Sequence, residues 1–155
     1  SMMSRTGSRR DAFPGMRELI ALFRTKPGTR EEYVERMEML SDAIGSKAYP
    51  TDVERLRALA ELGWQRGVHL AGTARQLHAI NCQPDRTRDL GRVTAPTLVI
   101  HGSADRLVFP RGGRATAKAV PGAKLRVYQG MAHDLPEQLW PQFAAEIDAN
   151  ANRSL

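Results

Sequence analysis

The sequence predicts an α/β fold that is mostly helical to about residue 90 and then runs β-α-β-α with parallel strands. Three observations carry this. Thr97-Leu98-Val99-Ile100 is an unbroken apolar, β-branched run ended by His101-Gly102, the pattern of a strand covered on both faces. Lys124-Leu125-Arg126-Val127-Tyr128 alternates polar with apolar residues before Gly130, as a second strand does. Between them, residues 111–120 offer a helix closed by Pro121-Gly122, which makes the connection long enough to be a parallel crossover.

Each earlier element has its own signal. Gly, Pro and clustered basic residues before Pro27 read as a loop, feeding a short helix in the apolar stretch MRELIALF after Gly15. Thr29 precedes Arg30, Glu31 and Glu32, an N-cap followed by first-turn acids, and introduces a helix carrying Tyr33, Val34, Met37, Leu40 and Ile44 and stopping at Gly45. Pro50, Thr51 and Asp52 open a second helix, with Thr51 and Glu54 spaced as a capping box, an apolar stripe at Val53, Leu56, Leu59, Ala60 and Trp64, and an end at Gly63 and Gly67. A third helix is expected from about Thr73 to Asn81, broken by Cys82, Gln83 and Pro84. Thr87 to Val93 reads as a short helical or turn segment before the first strand. The last helix should start near Pro136 and put Leu139, Trp140, Phe143, Ala144 and Ile147 on one face.

Composition narrows the classes. The 155 residues are 41% hydrophobic and 26% charged, which fits a globular chain and excludes wholesale disorder. No apolar run approaches the roughly 20 residues of a membrane span, and the polar, basic start has no signal-peptide pattern, so a cytoplasmic location and no membrane partner are expected. Cys82 is the single cysteine, so internal disulfides and thiolate zinc sites are excluded. It is expected to be a buried small side chain without a neighbouring base. The net charge of +6 raises a nucleic-acid reading, but the arginines are dispersed and aromatics are only 6%, so no nucleic-acid partner is expected.

The two strands place chemistry at one edge. Parallel strands end on the same side of their sheet, where open α/β sheets bind ligands. The loop after the first is His101-Gly102-Ser103-Ala104-Asp105, and the loop after the second is Gly130-Met131-Ala132-His133-Asp134. A carboxylate and an imidazole thus arrive from neighbouring strands about 4.8 Å apart, close enough for Asp105 to hold the His133 ring and fix its tautomer. Singly, Asp105 is the usual turn Asx and His133 a surface residue; the pairing is what points to catalysis. His101 reads as structural, Asp134 as leading into the last helix, and His69 and His78 as residues of the helical region. A metal site from His101, Asp105 and His133 is chemically possible, but two ligands in the right loops do not complete one, and neither a metal nor an organic cofactor is expected.

PTLVIHGSADRLVFP, ending at Pro110, and VPGAKLRVYQGMAHDLP, followed by Leu139-Trp140-Pro141, resemble the C-terminal part of an α/β-hydrolase of the bacterial methylesterase type. The resemblance implies a hydrolase of carboxylic esters or related acyl compounds, with Asp105 as triad acid and His133 as general base. It further implies that residues 1–10 hold the end of a core strand, at Met2-Met3-Ser4, and a loop. Residues 11–90 would be the helical cap, or lid, and 91–155 the C-terminal portion of the hydrolase core. Arg106 stands where the family often has Pro, and is placed to pair with Asp105; Ala132 stands where it often has Gly.

No G-x-S-x-G occurs: Ser46 lies in Ile44-Gly45-Ser46-Lys47-Ala48 and Ser103 lies two residues before Asp105. By the resemblance, the first strands, oxyanion-hole loop and nucleophile elbow would precede residue 1, so this chain would carry no nucleophile and be inactive alone. The same acid and base would serve a haloalkane dehalogenase or an epoxide hydrolase, and a hydrolase-derived binding or oligomerisation module is the non-enzymatic alternative. An unpaired strand edge invites a homodimer, or an assembly exchanged through strand or cap surfaces.

Overall fold

The computed structural model describes residues 1–8, 27–68 and 70–153. Its elements are α1 (Arg30–Ile44), α2 (Val53–Gln65), α3 (Leu70–Cys82), α4 (Thr87–Leu90), β1 (Leu98–Gly102), α5 (Pro110–Ala119), β2 (Lys124–Tyr128), a 3-10 turn (Glu137–Leu139) and α6 (Trp140–Ala151). The helical first part and the β-α-β-α second part follow the sequence pattern. The helix expected in MRELIALF and the position of His69 lie outside the described residues.

Local chemistry sets the helix boundaries. Thr29 accepts from the Glu32 amide while the Glu32 side chain accepts from the Thr29 amide, a reciprocal cap that satisfies two amides at the start of α1. Gly45 closes α1 through a bond from its amide to the Ser41 carbonyl. The box expected at Thr51 and Glu54 does not form. Asp52 is the cap of α2, its carboxylate accepting from the Arg55 amide, since Asp serves the same geometry one residue later. Gly63 is interior to α2 rather than at its end; a Cβ there would lie 3.1 Å from the Tyr33 hydroxyl, so the glycine admits α1. Tyr33 and Trp64 meet at 5.8 Å between ring centroids, and ion pairs Arg30–Glu61 and Arg57–Glu38 flank the α1–α2 contact.

α3 begins three residues before the expected Thr73. Cys82 at its end is exposed, not buried, with its sulfur 3.5 Å from His78 Nε2 one turn earlier. The i, i+4 spacing places the two on one helix face, so Cys82 has a neighbouring base.

β1 and β2 pair in parallel from Leu98 with Lys124 to Gly102 with Tyr128. On the other side of β1, Met2 forms a parallel bridge with Ile100, with Met3 N donating to Ile100 O at 2.9 Å. β1 is therefore the central strand, and every one of its residues is buried, as its unbroken apolar run requires. It extends through His101 and Gly102, which the sequence suggested would end it.

Leu98, Ile100, Met131, Leu139 and Phe143 form the core, with Met2, Tyr49 and Tyr128 packed around it. Phe143 meets Tyr128 edge-on at 4.9 Å. The last helix departs from its expected face: Leu139 and Phe143 are 3% and 5% exposed, but Trp140 and Ile147 are 45% and 49% exposed. Leu139 ends a 3-10 turn, whose tighter winding rotates it relative to the residues of α6. No helix among the described residues is long and apolar enough to cross a membrane.

Candidate active site

The loops after β1 and β2 are stitched together by their backbones. Ser103 N donates to Tyr128 O and Ala104 N to Met131 O, both at 2.9 Å, and Gly130 N donates to Ser103 Oγ at 2.9 Å. Gly102 makes this approach possible, since a Cβ there would sit 2.1 Å from the Met131 carbonyl oxygen.

This junction brings Asp105 to His133. Nδ1 of His133 lies 2.9 Å from Asp105 Oδ2. Asp105 Oδ1 accepts from the amides of Leu107 and Val108 at 2.9 and 2.8 Å. The carboxylate thus does both things considered for it: one oxygen closes an Asx turn and the other faces the imidazole. Arg106, considered as an ion-pair partner for Asp105, is exposed, and the backbone and His133 occupy the carboxylate instead.

Burial by itself would raise the Asp105 carboxyl. The imidazoles of His101 and His133 beside it and the bond from the Val108 amide outweigh it and hold the group at about 2. A carboxylate can only accept, so His133 Nδ1 carries the hydrogen of the 2.9 Å bond. Nε2 meets no hydrogen-bond partner among the described residues, which leaves its lone pair available as a base.

His101 supports the acid from beneath. Fully buried, it directs Nε2 to Val108 O at 2.8 Å and stands 3.5 Å from Asp105 Oδ2. Its Nδ1 is buried without a partner, against Gly113 of α5, where a Cβ would lie 2.3 Å from that nitrogen. Among the described residues no group of three or more His, Cys, Asp or Glu side chains is arranged to hold a metal ion.

Ser46 and Ser103 are both engaged in hydrogen bonds. Ser103 Oγ accepts from Gly130 N. Ser46 is 4% exposed, donates from Oγ to Asp134 Oδ1 and accepts from Ala132 N at 2.7 Å. The Asp134 carboxylate, on the segment that leads to the last helix, therefore binds Ser46, two residues past α1. The involvement of Ser46 has no local sequence signal, because its partners lie 86 and 88 residues away. Beside these loops is a cleft of about 410 Å³ lined by Ile44, Lys47, Ala104, Arg106, Gly130 and Ala132.

The model of the family described as serine aminopeptidase, S33, matches residues 27–138. The chain belongs to this α/β-hydrolase family. Among curated relatives, rhodomycin D methylesterase DauP of Streptomyces sp. (strain C5) is 28% identical over 137 residues, which are 86% of this chain and 45% of that protein. Non-heme chloroperoxidase CPO-A1 of Kitasatospora aureofaciens is 42% identical over 52 residues, 33% of this chain and 19% of that protein. The solved meta-cleavage product hydrolase of Pseudomonas fluorescens IP01 superimposes with a TM-score of 0.66 at 18% identity, covering 96% of this chain and 56% of that one, which shows the shared fold. The chain thus spans about half the length, or less, of the relatives it matches.

Proposed function

We propose that this chain is the acid- and base-bearing part of an α/β-hydrolase acting on carboxylic esters, with residues 11–90 as its cap and 91–155 as the C-terminal part of its core. The 2.9 Å bond between His133 Nδ1 and Asp105 Oδ2, at the ends of adjacent parallel strands, is the observation that supports it. Nε2 of His133 takes the proton of a serine hydroxyl as that oxygen attacks the ester carbonyl, and returns it to the departing alkoxide. The Asp105 carboxylate orients the ring and stabilises the imidazolium formed in between. The serine and the oxyanion donors come from the part of the relatives' length that this chain does not span. The cleft of about 410 Å³ beside the loops is of a size for a small-molecule ester.

The division of labour is directly testable. The 155-residue chain should give no turnover of p-nitrophenyl esters above blank and no adduct with a fluorophosphonate probe by intact mass. An adduct at Ser46 or Ser103, or burst kinetics, would overturn it. Joined to the preceding half of a relative that carries G-x-S-x-G, it should hydrolyse such esters, and His133→Ala should lower that rate by about a thousandfold or more.

A further inference from the structure

The loop that carries His133 is held from two directions. Asp105, on the loop after β1, holds the ring. Three successive residues of the loop itself are bonded instead to the last residue of α1 and to Ser46 just after it. Ala132 N donates to Ser46 Oγ at 2.7 Å, and His133 N donates to Ile44 O at 2.9 Å. The Asp134 carboxylate accepts from Ser46 N at 3.1 Å and from Ser46 Oγ.

We propose that Ser46 and Asp134 are positioning residues for His133, forming a latch by which the helical part of the chain sets the backbone that carries the imidazole. The proposal rests on the reading of Asp105 and His133 as acid and base. Ile44 O is one of the terminal carbonyls of α1 that the helix itself leaves without a partner, and His133 N supplies one. The Ser46 hydroxyl, buried at 4% exposure, must donate and accept at once, and both of its partners are on the His133 loop. Alanine there would strand the buried Ala132 amide and take from the half-buried Asp134 carboxylate one of its donors. Gly130, at φ +74°, begins the loop in a conformation that no regular element continues, so its later residues depend on such contacts for their position. A shift of α1 would accordingly be transmitted to His133 while Asp105 stays with β1.

NMR on the 155-residue chain tests this without requiring turnover. In the unaltered chain the amides of Ser46, Ala132 and His133 should exchange with solvent as one unit, with protection within about tenfold of one another. Ser46→Ala should speed exchange at Ala132 and His133 by about tenfold or more and broaden the low-field Nδ1–H resonance of His133. Ser46→Thr should restore both, the added methyl having room in the cleft of about 310 Å³ that Ser41, Gly45, Ser46 and Pro50 help to line. If Ser46→Ala fails to fold, Asp134→Asn carries the same test, because it turns one acceptor toward Ser46 N into a donor and keeps the other. Asp105→Asn should abolish the Nδ1–H resonance while leaving the three amides protected. Persistence of that resonance in Asp105→Asn would overturn the acid–base pairing. Unchanged amide exchange and resonance in Ser46→Ala, or in Asp134→Asn if that variant is used, would overturn the latch alone. So would protection of Ser46 that differs widely from that of His133 in the unaltered chain.

Discussion

Asp105 and His133, 28 residues apart in the chain, meet through a 2.9 Å bond because β1 and β2 are parallel and end together. Buried fully on the acid side and exposed by 24% on the histidine side, the pair joins a fixed carboxylate to an accessible ring.

The folded chain holds the Asp105 carboxyl at about 2 against an ordinary 3.8. Folding therefore favours the ionised form, so this contribution to stability is fully present above the unfolded value and is lost as pH falls through the folded one. The shift corresponds to about 2 kcal/mol. Urea unfolding followed from about pH 5 to about pH 2 should show the stability gap between the unaltered chain and Asp105→Asn narrowing toward the acid end. A gap that stays constant over that range would contradict the assignment.

His101 and Gly113 form a tight contact between strand and helix, so Gly113→Ala should cost about 2 kcal/mol or more by driving a methyl into the imidazole. In a His101→Ala background the same substitution should cost much less, since the clashing ring is gone. Additive losses in the double-mutant cycle would show that the helix yields elsewhere.

The two aromatic residues of α6 should respond differently to truncation. Phe143, 5% exposed and packed on Tyr128, should cost about 3–5 kcal/mol on change to Ala. Trp140 is 45% exposed, with Arg55 over its ring and its indole N–H bonded to Leu135 O, and should cost about 1 kcal/mol. Melting temperatures of the two variants would rank them, and a larger loss at Trp140 would mean that its face is covered.

At the start of α2, Asp52→Ala should destabilise by about 1 kcal/mol, because it removes the acceptor for the Arg55 amide. Thr51→Ala should be close to neutral, its hydroxyl having only a 3.5 Å contact with Ser41. Equal losses at the two positions would restore the cap register that the Thr51–Glu54 spacing suggests.

Much of this molecule was legible residue by residue because the governing interactions are short in sequence. The α1 cap at Thr29, the stop at Gly45 and the buried run of β1 all follow from chemistry within one or two turns. Even the meeting of Asp105 and His133 could be anticipated, since two parallel strands carry their following loops to one edge. Near misses, such as Asp52 in place of Thr51, reflect two adjacent residues equally able to cap.

What the chain by itself determined, then, is its α/β order, its strands and the pair of loops at their ends. Only the tertiary structure decided which side chains those loops would spend on one another. Ser46 reads locally as an unremarkable serine after a glycine stop, and its hydroxyl is consumed by Ala132 and Asp134 only once the end of α1 meets the loop after β2. His101 likewise reads as the end of a strand, and its place beneath Asp105 depends on how closely the glycine of α5 lets helix and strand approach. The physical reason is the same in both cases. A hydrogen bond between residues some 88 positions apart leaves no periodicity or cap signal in either segment, and its geometry exists only after the packing that creates it.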